Sequence, residues 1–453
     1  MTDVTQPTAA AAPASKINLR AIALFFIVAL LIAWTGFTQS WNVALAIVNM
    51  GLVSAIMALG VNMQWGYAGL FNVGIMGFVA LGGLAVVLVT EAPVTEAWAA
   101  GGGRMMLALA FGLGLLVVAV LLYKRMAAGK LRALLMTVLL VGGYFAYREI
   151  FVPAADAIEA VNPAGTGFLG GIGLKGALAL LAWPIGGLFA AAAAWAIGKT
   201  ALGLRSDYLA IATLGISEII IAVMKNEDWL TRGVKNVNGL ERPWPVPYEV
   251  DLQASADFAA RAAGWGMDTV VASAVVVKLT YTALFVVVLL VLLWMSQAAL
   301  KSPWGRMMRA IRDNEVSAEA MGKDVTRRHL QIFILGSAVV GIAGAMMTTL
   351  DGQLTPSSYQ PLRYTFLIWV MVIVGGSGNN YGAILGGFVI WFFWVQVEPL
   401  GQMLMNIITA GMADGSVLKE HLLDSTAHMR LLTMGIIMLL VLRFSPRGLI
   451  PEK

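Results

Sequence analysis

Long apolar runs separated by short charged loops dominate the chain. They fall at about 21–38, 43–64, 67–90, 104–123, 132–150, 172–197, 207–224, 269–295, 329–350, 364–375, 380–398 and 430–443. A helix needs about 20 largely apolar residues to cross about 30 Å of hydrocarbon. Most of these runs meet that requirement, so the pattern predicts a bundle of membrane helices. The runs at 364–375 and 430–443 are short, and Gly375, Gly376 and Gly378 follow the first. That piece reads as a short crossing, a broken helix or a re-entrant segment. The expected fold class is an all-α polytopic integral membrane protein of about 10–12 transmembrane helices, some broken or re-entrant, with a cytoplasmic coupling helix.

Loop charge orients the bundle. Lys124, Arg125, Lys130 and Arg132 lie in one loop, Lys199 and Arg205 in another, and seven Lys or Arg between 300 and 328; Arg443 and Arg447 mark the tail. Cytoplasmic loops carry such an excess of Lys and Arg. Placing all of these inside puts the amino terminus inside too, and the count closes at twelve crossings only if 364–375 and 380–398 both cross. Residues 1–20, rich in Ala, Thr and Pro and ending in Lys16 and Arg20, read as a cytoplasmic arm before an uncleaved first helix. Residues 21–150 then form a set of N-terminal helices and 172–450 a core.

Composition narrows the function. Hydrophobic residues make up 59% of the 453 and charged residues 12%, against about 25% charged in soluble domains. Disorder, a nucleic-acid-binding domain and a secreted disulfide scaffold are excluded for the chain as a whole. Cysteine is absent, and the three histidines, His329, His421 and His428, leave little for a metal site. Gly198-Lys199-Thr200 has Ala193 where a phosphate-binding loop needs glycine. Neither H-E-x-x-H nor G-x-S-x-G occurs, so the chain is expected not to be an enzyme.

Three stretches carry candidate chemistry. The 300–328 loop predicts two short helices: Ser302 and Pro303 start the first, Asp313 or Asn314 caps the second, Gly322 ends it and Thr326 caps the next membrane helix. A capped helix lying along the membrane is a lever for a cytoplasmic partner. The 225–268 segment, with Pro243, Pro245, Pro247 and charges of both signs, predicts an external loop with a short helix near 253–263. It suits an extracytoplasmic partner or a gate. Polar side chains inside apolar runs are costly in lipid and face protein or a water-filled cavity. Asn49, Asn62, Gln64 and Asn72 are such residues, and so are Asp207 and Glu218, which share a run with Thr213. Asp207, beside Arg205, suits a helix start; Glu218 suits a pathway or gating carboxylate, or a bond locking two helices. Ser337, Gly341 and Ala345, and likewise Gly382 and Gly386, recur at i+4 and predict close helix crossings. The Gly66–Gly83 and Gly375–Gly387 stretches suit broken helices beside a substrate path.

Six segments, in order, carry a resemblance. They are Gly66-Tyr-Ala-Gly69 with Gly74 and Gly77; Leu204-Arg-Ser-Asp-Tyr-Leu-Ala-Ile-Ala-Thr-Leu-Gly215 with Glu218; Asn238-Gly-Leu240; Gly305-Arg306 through Glu319-Ala320 and Gly322; Gly375-Gly-Ser-Gly378 with Gly382 and Gly386; and Arg443-Phe-Ser-Pro-Arg-Gly-Leu449. Over about 43–90 and 200–450 the chain resembles the larger, M-type permease subunit of high-affinity branched-chain amino-acid ABC importers. Met321 stands where ABC permeases in general carry a small residue, and 91–170 has no match and reads as a variable extension.

The resemblance implies a permease subunit of an ATP-driven importer in a bacterial inner membrane. Its implied partners are a second related permease, two ATP-binding cassette subunits, a periplasmic substrate-binding protein and membrane lipid, with no nucleic acid. No cofactor is bound directly, and ATP is used by the partner subunits. Arg306, Arg312, Asn314, Glu315, Glu319, Ala320 and Gly322 are the expected coupling residues. Asn72, Asp207, Thr213, Glu218, Gly375, Gly376 and Ser377 are the expected pathway or gating residues. A second reading is a stand-alone ion-coupled secondary amino-acid transporter using Glu218.

Overall fold

The computed structural model describes residues 19–162, 167–204, 206–412 and 416–452. Arg205 and most of the expected N-terminal arm lie outside them. Every apolar run forms a helix. The first three are α1 (Leu19–Thr38), α2 (Trp41–Ala68) and α3 (Ile75–Thr90). A short turn, α4 (Thr95–Ala97), runs through a π-turn into α5 (Gly103–Arg125), and α6 (Lys130–Glu159) returns. Then come α7 (Ala182–Ala201), α8 (Ser206–Asn226) and the short α9 (Asp228–Thr231), α10 (Glu249–Ala254) and α11 (Ala256–Gly264). The long α12 (Thr269–Lys301) leads to α13 (Pro303–Asp313) and α14 (Glu315–Ala320), and α15 (Val325–Asp351) re-enters the bundle. The chain closes with α16 (Pro361–Gly375), α17 (Asn380–Thr409), α18 (Val417–Asp424) and α19 (Met429–Phe444).

Among the described residues nine segments are long and apolar enough to cross a membrane, and α18 with α19, bent by 59°, makes a tenth if the pair is one span. The shorter α3 and α16 complete the apolar set. At 1.5 Å per residue the 15-residue α16 covers about 22 Å. It starts beside Tyr359, which contacts Thr348 in α15, and ends where Ile450 of the tail bonds Gly375. It therefore joins the two ends of the bundle.

The core is α2, α3, α7, α15, α16 and α17. From Gly51 to Met63 every residue of α2 is buried, whereas α5 and α6 pack mainly on each other and expose most of their apolar surface. Small residues set the crossings. A side chain at Gly82 would meet the Gly341 carbonyl, and one at Gly341 would meet Ala190 and Gly186, so α3, α7 and α15 touch backbone to backbone. Gly375 and Gly386 bring α16 equally close to α17.

One end of the bundle gathers the α2–α3 turn, α13, α14, the Gly376–Asn379 turn and the tail. The other holds the 225–268 segment and a small antiparallel pair, β1 (Val237–Asn238) and β2 (Gln353–Leu354), in which Val237 faces Leu354. Two helices, α10 and α11, stand where one was expected near 253–263, divided by Ser255, whose hydroxyl accepts the Phe258 N–H.

Three local expectations fail. The run at 67–90 is not one helix: α2 extends to Ala68, Gly69 turns left-handed at φ 69°, and 70–74 is irregular before α3. The glycines of Gly66–Gly83 suited a broken helix, but apolar Leu70, Phe71 and Val73 hid where the break falls. The run at 172–197 starts as coil and a 3-10 turn, with α-helix only from Ala182. Finally, Asp324 and not Thr326 caps α15: its carboxylate accepts the Arg327 N–H at 2.9 Å, so the helix begins earlier.

Gly375→Ala is expected to force α16 and α17 apart and cost about 1–3 kcal/mol, because the new methyl would strike the Gly382 backbone. Gly435→Ala, with open space around it, is expected to be neutral or stabilising. Thermal unfolding in detergent, followed by tryptophan fluorescence, distinguishes the two.

Candidate functional site

At the basic end α12 runs to Lys301 and the chain turns sharply into α13. Ser302 accepts the Gly305 N–H at 3.5 Å, and Pro303 supplies the first helical position. Gly305, Met308 and Ile311 are buried, while Arg306, Ala310 and Asp313 face out. Arg312 turns inward. It donates to the Gly66 carbonyl near the end of α2, and it pairs with Glu452 at 2.8 Å and Asp313 at 3.1 Å. Burial works against its charge, but the hydrogen bond and charge of Glu452, with those of Asp313, outweigh that and raise its pKa. Asn314 then caps α14 by accepting the Ser317 N–H at 2.9 Å. No residue of α14 is buried, and Gly322 ends the unit at φ 74°. Two apolar side chains stand out into solvent here: Val316 is 76% and Met321 79% exposed.

The tail completes this end. Leu449 and Ile450 donate to the carbonyls of Val374 and Gly375 at 2.8 and 2.9 Å, and Asn379 donates to Pro451 at 3.1 Å. Gly376 is held at φ 118°, a backbone open essentially to glycine. Gly375 and Gly376 are thus buried against α17 and the tail, while Ser377 is exposed in a recess lined by Arg306, Arg309, Arg312, Arg447 and Glu452. These three expected gating residues sit beside the coupling loop.

The interior holds a buried amide network at the α2–α3 break. Asn72 donates to Gln64 at 2.9 Å and accepts the Gly74 N–H at 2.9 Å. Gln64 donates to the Phe333 carbonyl and to Ser337, each at 3.0 Å. Thr213 accepts the Val73 N–H at 3.1 Å, and Trp369 donates to the Asn72 carbonyl at 3.0 Å. Nearby, Asn62 donates to Asn380 at 3.0 Å and accepts the Gly378 N–H at 2.8 Å.

Of the expected pathway residues, the fold brings Asn72 and Thr213 together. Asp207 and Glu218 lie elsewhere, on the exposed face of α8 with Tyr208, Ile211 and Ile219. Asp207 stands in the first turn of α8, where the helix dipole favours a carboxylate. Glu218 has no hydrogen bond or ion pair among the described residues. Gln64 and Asn62 were visible in the sequence as polar residues within apolar runs. Glu452 gave no signal, because its partner Arg312 lies 140 positions away. Among the described residues no group of three or more His, Asp or Glu could hold a metal ion.

A family model described as "Branched-chain amino acid transport system / permease component" matches residues 157–442. The "High-affinity branched-chain amino acid transport system permease protein LivM" of Escherichia coli is 28% identical over 276 residues, 59% of this chain and 56% of that protein. The "Probable branched-chain amino acid transport permease protein LivM" of Methanocaldococcus jannaschii is 27% identical over 401 residues, 88% of this chain and 90% of that protein. The "Fructose import permease protein FrcC" of Rhizobium meliloti is 25% identical over a shorter stretch, 27% of this chain and 34% of that protein. The chain thus spans little more than half the length of the E. coli relative. No solved structure matches.

Gln64→Leu is expected to leave the Asn72 amide and Ser337 without their partner, at about 1–3 kcal/mol of stability per stranded group. Asn72→Ala should be comparably costly. Because the two side chains share a bond, the double variant should lose less than the sum. Heat-induced loss of monodisperse protein, measured across the cycle, checks this.

Proposed function

The chain belongs to the permease-component family of branched-chain amino acid transport systems, and from that premise we propose that it is one permease subunit of an ATP-driven, binding-protein-dependent importer. Its substrates are branched-chain amino acids. A second, related permease completes the path, and two ATP-binding subunits dock on α13 and α14. A soluble binding protein delivers substrate to the far end, where the 225–268 segment lies. The basic end faces the cytoplasm of a bacterium and the amino terminus lies on that side, in keeping with the loop charges. ATP is bound and hydrolysed by the partners, and this chain binds no cofactor.

The observation that carries the reading is the construction of the basic end. A six-residue helix with nothing buried, carrying exposed Val316 and followed by exposed Met321, offers a partner two apolar knobs and the charges of Glu315 and Glu319. The recess with Arg306, Arg309 and Arg447 offers positive charge to an acidic partner surface. Arg312 ties this lever to the end of α2, and the tail ties it to the end of α16. Movement of the lever is therefore passed directly to α2 and to α16, whose Trp369 bonds the Asn72 carbonyl in the α2–α3 break. Alternating access then follows from a rigid shift between packed helices.

Glu218 supports the second permease. A carboxylate on an apolar helix face is costly against lipid, so α8 is better covered by protein or by a water-filled path. Family membership does not favour the stand-alone carrier reading.

Glu319→Arg and Gly322→Val are expected to reduce ATP-dependent leucine uptake about fivefold or more in membranes holding all partners, with the chain present at normal levels. Unchanged uptake that collapses instead with a protonophore would overturn the reading.

A further inference from the structure

A cavity of about 270 Å³ lies toward the far end of the bundle, between α2, α3, α15, α16 and α17. Its wall contains Met50, Met57, Met76, Met347 and Met371, five of the 24 methionines in the chain. Sites for drug-sized ligands measure about 300–1,000 Å³, so this space suits something smaller, on the scale of one amino acid. Methionine is flexible and polarisable and packs around apolar groups of differing shape. A wall of this kind tolerates several aliphatic branching patterns.

One group on the wall is charged. Asp351 is the last residue of α15, and its carboxylate lines the cavity. It is exposed, with no hydrogen bond or ion pair among the described residues. The carbonyl end of α15 adds negative potential at the same place. An unmatched carboxylate beside an apolar cavity attracts a small cation that also carries an apolar part. The hydroxyls of Ser54 and Tyr364 also line the space.

Asp351 is held in position from behind. Gly239 and Leu240 both donate to the Gly352 carbonyl, at 3.1 and 3.2 Å, and β1 pairs with β2 immediately afterwards. The Asn238-Gly239-Leu240 segment is thereby a strap fixing the end of α15, a role that docking by the ATP-binding subunits does not require.

We propose that this cavity is a substrate subsite in which Asp351 receives the ammonium of an α-amino acid and the five methionines surround its aliphatic side chain. That the subsite lies on a transport path rests on the importer reading above. The permease then applies a selection of its own after the binding protein has released its cargo: a primary ammonium at one end and an uncharged aliphatic chain at the other.

The test uses the complete transporter, with both permeases, the ATP-binding subunits and the binding protein, reconstituted in vesicles. Uptake of leucine and valine is measured beside ATP hydrolysis. Asp351→Asn is expected to lower leucine uptake about tenfold or more while ATP hydrolysis continues, and Asp351→Glu to restore part of it. Met57→Phe narrows the cavity and is expected to raise the valine-to-leucine uptake ratio about fivefold or more, a shift that misfolding cannot produce. Uptake and ratio unchanged in both variants would overturn the subsite while leaving the importer intact. Failure of Asp351→Asn to assemble would overturn it too, since a free carboxylate should not be needed for folding. Absence of ATP-dependent uptake in the unsubstituted complex would instead remove the importer reading, and the subsite with it.

Discussion

A buried backbone N–H or C=O without a partner costs about 1–3 kcal/mol, and the α2–α3 break is where this chain meets that constraint. Between Ala68 and Ile75, toward the end of the bundle that holds α13 and α14, the backbone leaves the helix with Leu70, Asn72 and Gly74 buried. Side chains take over its hydrogen bonds: Asn72 and Thr213 accept from Gly74 and Val73, Trp369 donates to the Asn72 carbonyl, and Gln64 ties Asn72 to α15. Four helices therefore converge on six residues of irregular backbone. The close glycine contacts of α3 with α7 and α15 become possible only once α3 is displaced from the axis of α2.

The same break is tied to the basic end of the bundle. Arg312 grips the Gly66 carbonyl just before the turn and the Glu452 carboxylate of the tail, and the tail bonds the last carbonyls of α16. The exposed lever, the broken pair and the Gly376 turn are mechanically one unit. The partially buried guanidinium of Arg312 is held by the carboxylates of Glu452 and Asp313, while α14 stays exposed. At the opposite end, the β1–β2 pair fixes the end of α15 beside the methionine-lined cavity.

Most of the helices were legible because an apolar run of sufficient length has few other options. The caps of α13 and α14 were legible for a similar reason: Ser302, Pro303 and Asn314 act on backbone within three residues of themselves. What escaped depends on distant partners. The Gly66–Gly83 stretch suited a broken helix, but apolar Leu70, Phe71 and Val73 hide where the break falls, and the groups that hold it open, Thr213 and Trp369, come 140 and 297 positions after their partners. Asp207 and Glu218 were recognisable as polar residues in an apolar run, but which face of α8 they occupy follows from packing against α3. The grouping of five methionines from four helices around one cavity has no local signature at all. Gly375 and Gly376 were marked correctly as unusual, and only the tail contact reveals what they adjoin.

The account depends most on the claim that a separate ATP-binding protein grips α14. The chain contains no cysteine, so Met321→Cys creates a single thiol at the most exposed point of the lever. Photo-crosslinking from that thiol in native membranes, with the adduct identified by mass spectrometry, addresses the claim directly. The account predicts one dominant adduct with an ATP-binding subunit, in a yield that changes when ATP is added. A thiol that labels freely, forms no protein adduct and belongs to a chain that purifies alone would contradict it.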